Sequence, residues 1–182
     1  MIDIIEIRIL SEISLISTNI NNIYKYPFDY MKARIKRLTK DIELPKYHTS
    51  ESAGFDIASS VDITVAPGAV VKIPTGLVIA SPKGHFLLIA ARSSLSFKKG
   101  LAMANGIGIV DPDYAGPNDE IHIIVHNFTD QPVEVKKGER LAQGLFLKTE
   151  QAQWEEVDQL HNVDRGGIGS TGGYAVTDNN NN

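Results

Sequence analysis

"VDITVAPGAVVKIPTGLVIASPKGHFLLIAAR", residues 61–92, is four short apolar runs cut by turn signals. Val61, Ile63 and Val65 alternate with polar neighbours, the period-2 pattern of a half-buried strand, and run into the turn APGA. VVKIPTG, GLVIAS and HFLLIAAR follow at close spacing. Outward from here the pattern persists. On the N-terminal side Met31, Ala33 and Ile35 alternate with Lys32, Arg34 and Lys36, which predicts another half-buried strand. On the C-terminal side come EIHIIVHNF (120–128), QPVEV (131–135) and RLAQGLFLK (140–148). No stretch after residue 40 sustains a 3.6-residue apolar repeat over three turns. Many short strands divided by Pro-Gly, Lys-Gly and Asn/Asp clusters predict an all-β sandwich, jelly roll or barrel.

The chain has 182 residues, 42% hydrophobic and 22% charged, which suits one soluble domain with its own core. It has no cysteine, so disulfides and thiolate metal sites are excluded and a reducing, cytoplasmic setting is compatible. A net charge of −4, with no dense Lys/Arg cluster among aromatics, argues against a nucleic-acid partner. The apolar runs fall far short of the roughly 20 residues that span a membrane, so no membrane association is expected.

Residues 1–30 are Ile-rich but broken by Asp3, Glu6, Arg8 and Glu12, and lack the basic start and unbroken apolar stretch of a secretory signal. They are expected to be an N-terminal extension or a start-site artefact. From Val163 the composition changes to DRGGIGSTGGYAVTDNNNN, with five glycines in residues 166–173. Such a segment cannot bury enough apolar surface to offset its ordering entropy. The expected organisation is an extension over 1–30, a β domain over 31–162 and a flexible glycine-rich arm over 163–182. Composition alone reads the arm as a disordered tail, while Arg165 and the Ser170–Thr171 hydroxyls also fit an arm that closes over an anion.

The strand–GxxxxGK[ST]–helix phosphate loop, GxGxxG and GxSxG are all missing. His122 and His126 share a strand face, but two histidines without a third ligand are more often solvated than metal-bound. Four stretches carry more information. SAGFDIAS (52–59) puts Asp56 after a glycine at a strand entry, where a turn aspartate satisfying its own backbone is the structural alternative. ARSSLSFKKG (91–100) offers Arg92, two hydroxyls and backbone N–H groups, donors suited to phosphate oxygens at about 1.5–3 kcal/mol each. KGERLAQGLF (137–146) sets the Gln143 amide in an apolar strand, where a buried amide needs partners. ANGIGIVDPDYAGPNDEIHI (104–123) spends Asp111, Asp113, Tyr114, Asp119 and Glu120 on a hinge that needs only one or two turn residues.

AGFDIAS, RSSL, NGIGIVDPDY, GERLAQ and GGIGSTGG, in that order over about residues 32–174, resemble the five ordered motifs of the homotrimeric dUTP pyrophosphatases, the dUTPases. The resemblance implies a jelly-roll-like β-clip subunit, assembled as a threefold trimer whose active sites are shared between subunits. It implies Mg²⁺-dependent hydrolysis of dUTP to dUMP and pyrophosphate, which limits uracil incorporation into DNA and supplies dUMP for thymidylate synthesis. Asp111 matches the carboxylate that orients and activates the attacking water. Tyr114 matches the ring that packs on deoxyribose and leaves no room for a 2′-hydroxyl. Backbone groups of Gly108, Ile109 and Val110, with Asn105 nearby, match the reader of uracil; a hydrogen-bonding site of this kind rejects a mispaired base by about 10⁴–10⁵.

Arg92, Ser93, Ser94 and Gln143 match residues that contact the phosphates or metal-bound waters. Asp56 and Gln143 match groups near Mg²⁺ that act through water. Arg165, Ile168, Gly169, Ser170 and Thr171 match the arm. This chain departs from the family pattern at Ile168, where the uracil-stacking aromatic usually stands; Tyr174 is the nearby substitute. GPND (116–119) lengthens the hinge, and Asp113, Asp119 and Glu120 match no assigned role. Two alternatives remain: a low-turnover dUTP-binding regulatory trimer, and a dCTP deaminase. The deaminase is disfavoured because its catalytic glutamate would align with Ile124.

Overall fold

Eleven antiparallel strands and one helical turn arise from these alternating runs in a computed structural model that describes residues 31–160, 163, 164 and 166. The extension expected over 1–30 lies outside the described residues. The strands are β1 (Arg34–Arg37), β2 (Phe55–Ala58), β3 (Ile63–Val65), β4 (Val70–Pro74), β5 (Leu77–Ala80), β6 (His85–Ala91), β7 (Leu101–Met103), β8 (Gly108–Val110), β9 (His122–Asn127), β10 (Val133–Val135) and β11 (Arg140–Lys148), with α1 at Leu95–Lys99. One sheet runs β2-β11-β6-β8 and another β4-β9-β7; β1 pairs with β5, and β3 with β10.

Alternation along each strand sorts its side chains. On β9, Ile123, Val125 and Asn127 are buried, while His122, Ile124 and His126 take the other face. Inward residues of both larger sheets, among them Ile57, Ile73, Leu87, Leu101, Ile123 and Leu141, join in one apolar core. Each such side chain contributes about 1.5–3 kcal/mol on burial. Asn127 is the polar member. Its Nδ2 donates to the Val65 and Gln131 carbonyls at 2.9 and 2.8 Å, and its Oδ1 accepts from Thr129, so no buried polar atom is left unpaired there.

The structure corrects one expectation. The strand expected from Met31 begins at Arg34 and is exposed on both faces, with Ile35 38% accessible. Among the described residues β1 pairs on one side only, and Met31, Ala33 and Ile35 line an open groove of about 860 Å³ with Tyr47 and Phe146 in place of a closed core. Between β6 and β9 the alternating pattern marks no strand, because β7 (LAM) and β8 (GIV) carry no polar residue to alternate with their apolar ones. Among the described residues no helix is long and apolar enough to cross a membrane. The chain divides into two units, 1–150 and 151–182; the described residues of the second have no regular secondary structure and are exposed.

Candidate active site

Strand register assembles the first group of side chains. Asp56 on β2 pairs with Gln143 on β11, and Gln143 pairs with Ala90 on β6, so Asp56 and Gln143 stand side by side on one face two residues from Arg92. Asp56 is buried. Its Oδ1 takes the Gln143 Nε2 donor at 3.3 Å and the Arg92 Nε at 3.2 Å. Its Oδ2 takes Arg140 Nη1 at 3.1 Å and lies 2.9 Å from His48 Nε2; Arg140 also meets the His48 ring. Register shifts between Arg140 and Ala142, and this irregularity in β11 brings Arg140 to Asp56.

One buried carboxylate against two guanidiniums leaves a positive surplus. The burial of Asp56 is compensated by paired donors on both oxygens, while Arg92 and Arg140 keep N–H groups that face solvent. Asp56, His48 and Arg140 line a cavity of about 520 Å³. Asp41 and Lys137 stand at its edge, and the Lys137 ammonium, helped by the Thr39 hydroxyl, holds the Asp41 carboxyl down to about 2.

The segment after β6 is tied to the start of β11. Arg92 N–H donates to the Leu141 carbonyl at 3.1 Å, and the Arg92 guanidinium to the Arg140 carbonyl at 3.3 Å. Ser93 and Ser94 follow. Ser94 caps α1 without a side-chain cap bond. Buried Leu95 anchors the turn, and Lys99 joins it to Glu139 at 3.0 Å and to the Glu134 carbonyl at 2.6 Å. Gly100 ends the helix at φ 65 because a Cβ there would stand 2.2 Å from Thr129 Cγ2.

A second group lies on β8 and the loop after it. Among the described residues β8 pairs with β6 alone, so one edge of Gly108–Val110 presents N–H and C=O groups that no described strand pairs. Gly108 permits this close pairing, since a Cβ there would meet Ile89 at 3.2 Å. Exposed Asn105 begins the turn into β8, and exposed Asp111 leaves it. Tyr114, half exposed, donates its hydroxyl to the Glu120 carbonyl at 3.2 Å. Two of the surplus carboxylates of the hinge find structural duties. Asp119 Oδ2 accepts the Gly116 N–H at 2.7 Å, and Glu120 Oε1 accepts the Gly76 N–H at 2.7 Å.

The structure therefore joins Asp56, Arg92 and Gln143, with Ser93 and Ser94 beside them, and adds Arg140 and His48. Arg140 could have been suspected as a charge within GERLAQ, but His48 carries no signal in the sequence. The structure does not join Asp111 and Tyr114 to that group. Val110 faces Leu87, and the remaining length of β6 to Arg92 is roughly 16 Å at strand rise. Arg165, Ile168, Gly169, Ser170, Thr171 and Tyr174 lie outside the described residues. Among the described residues no three His, Cys, Asp or Glu side chains converge as a metal cage, and His122 with His126 makes none.

A family model described as dUTPase matches residues 40–172. The deoxyuridine 5'-triphosphate nucleotidohydrolase of Dictyoglomus turgidum is 40% identical over 148 residues, covering 78% of this chain and 99% of its own. That of Desulfitobacterium hafniense is 44% identical over 149 residues, covering 78% and 97%. A crystal structure of dUTPase from Streptococcus mutans superposes with a TM-score of 0.61 at 35% identity, over 64% of this chain and 93% of that one.

Proposed function

This chain belongs to the dUTPase family, and we propose that it hydrolyses dUTP to dUMP and pyrophosphate with the two groups of residues just described. Carrying the reading is the arrangement around Asp56: one buried carboxylate holds Arg92 and Arg140 as a fixed donor array and fixes the Gln143 amide beside them, with Ser93 and Ser94 adjacent. Preorganised donors of this kind suit a triphosphate, because their orientation does not have to be found again when charge develops.

The unpaired edge of β8 pairs with the uracil through peptide groups, and Asn105 borders it. Tyr114 packs on the deoxyribose. Asp111 orients a water molecule and accepts its proton as the oxygen bonds to the α-phosphorus and the bond to pyrophosphate breaks. Arg92, Ser93 and Ser94 donate to phosphate oxygens. In the arm, Arg165, Gly169, Ser170 and Thr171 serve the outer phosphates and Ile168 takes the place of the stacking ring.

Mg²⁺ fits this donor set. The ion usually keeps several waters and binds through substrate phosphates with few protein ligands. The Gln143 amide nitrogen is committed to Asp56, so its oxygen is the group that can accept from a metal-bound water. Asp56 has both oxygens engaged by protein donors, so its part is to hold Arg92 toward the phosphates and Gln143 toward the ion's hydration shell. When bound, Mg²⁺ supplies charge neutralisation along the phosphates.

Assembly as a homotrimer with shared sites is supported by the distance of Asp111 from Arg92 along β6, which a second subunit's Asp111 removes. The cysteine-free chain suits a reducing cytoplasm. Pyrophosphate release compared across dUTP, dTTP, UTP and dCTP with Mg²⁺ tests the reading. Release from dUTP far above the others is expected. Equal release from all four, or ammonia from dCTP, overturns it.

A further inference from the structure

Residues 114–120 form a closed brace that hydrolysis as described does not use. Asp119 shuts the turn by accepting the Gly116 N–H at 2.7 Å. Glu120 fastens the far end of the turn to Gly76, whose N–H reaches its Oε1 at 2.7 Å. Gly76 is held in turn: its carbonyl accepts the Leu38 N–H at 2.9 Å, and at φ 68 with Ile42 packed where a Cβ would stand the position admits only glycine. Lys36 Nζ holds the middle of the loop by donating to the Pro117 carbonyl at 2.6 Å. Tyr114 then returns its own hydroxyl to the carbonyl of the fastened residue, at 3.2 Å. The ring is thus held at both ends, by its backbone and by its tip.

We propose that Asp119 and Glu120 are positioning residues for sugar discrimination: they stiffen the Tyr114 ring so that it rejects a ribose 2′-hydroxyl. The inference rests on the reading of Tyr114 as the ring that faces the deoxyribose. A steric filter discriminates only as far as its wall resists displacement, since an unsupported ring turns aside and admits the extra oxygen. A half-exposed tyrosine on a loop has little packing to resist with. Its resistance comes from the tether at its hydroxyl and from the two carboxylates that fix the carbonyl it is tied to. GPND, the lengthening of the hinge, supplies the residues that make this closure.

The test is kcat/KM for dUTP and for UTP on the purified full chain with Mg²⁺. The variants are Asp119→Ala, Asp119→Asn, Glu120→Ala, Tyr114→Phe and Tyr114→Ala. Asp119→Ala, Glu120→Ala and Tyr114→Phe should each lower the dUTP-to-UTP ratio about three- to tenfold, the worth of one net hydrogen bond. Asp119→Asn, whose side-chain oxygen still accepts from Gly116, should restore the ratio. A ratio of two substrates on one preparation cancels the active fraction, so partial unfolding does not imitate the effect. Tyr114→Phe leaves the loop bonds in place and serves where a loop variant fails to fold. Unchanged ratios in the brace variants and in Tyr114→Phe, with the ratio lost in Tyr114→Ala, overturn the proposal. An unchanged ratio in Tyr114→Ala as well overturns the reading of Tyr114 on which it rests.

Discussion

Arg92 and Asp56 pair at 3.2 Å although they come from the end of one strand and the start of another, with β11 between them. The pair spans the sheet at the point where Gln143 also enters, so one carboxylate sets the direction of a proposed phosphate contact and of the amide proposed to face the metal-bound water. Loss of Asp56 therefore acts on stability and on substrate together. Asp56→Ala should cost about 2–3 kcal/mol in denaturant unfolding. That lies below the roughly 3–5 for a fully buried pair, because Arg92 and Arg140 keep 30% and 43% of their side chains in water. KM for dUTP should rise in the same variant. A Tm and KM both equal to wild type would show the array to be held by something else.

Asp111→Asn should lower kcat about 10²–10⁴-fold while dUTP still binds. The exposed side chain supports no core packing, so the fold should be unaffected. Single-turnover rates beside equilibrium dUTP binding separate the two, and turnover near wild type would remove Asp111 from its role.

Mixing two inactive variants examines the sharing of sites. If Asp111 of one subunit serves Arg92 of another, Asp111→Asn and Arg92→Ala chains refolded together should regain activity at on the order of a quarter of their sites. Chains that each build a complete site would regain none.

Deleting residues 164–182 should abolish most dUTP hydrolysis and leave the circular dichroism of the β domain unchanged, since the described strands all end by Lys148. Full activity in the truncated chain would reduce the arm to a tail.

Acid stability carries the mark of the Asp41–Lys137 pair. The Asp41 carboxyl sits at about 2 in the folded chain against 3.8 unperturbed, chiefly through its bond from Lys137. A depressed carboxyl stabilises the fold above the unfolded value and gives this up as pH falls from about 4 toward 2. Asp41→Asn should flatten unfolding midpoints measured across that window.

The strands with sustained alternation were legible because their period survives any context. β1 was misjudged, since an alternating pattern says which side chains share a face but not whether that face is covered. β7 and β8 left no periodic trace because Leu101–Met103 and Gly108–Val110 contain no polar residue. Asp56, Arg92 and Gln143 were legible through their ordered motifs, whereas His48 and Arg140 reach Asp56 only through register and an irregularity in β11. Glu120 was opaque for a similar reason: its partner Gly76 lies 44 residues away.

The bare edge of β8 has a longer consequence. A base matched by main-chain groups meets no side chain that a single codon change can swap, because every amino acid but proline offers the same N–H and C=O. Drift at Ile109 or Val110 can alter bulk and solubility yet leaves that hydrogen-bonding alphabet intact. On the proposed reading of that edge as the uracil reader, a new nucleobase preference would have to come from rerouting the chain rather than from substitution.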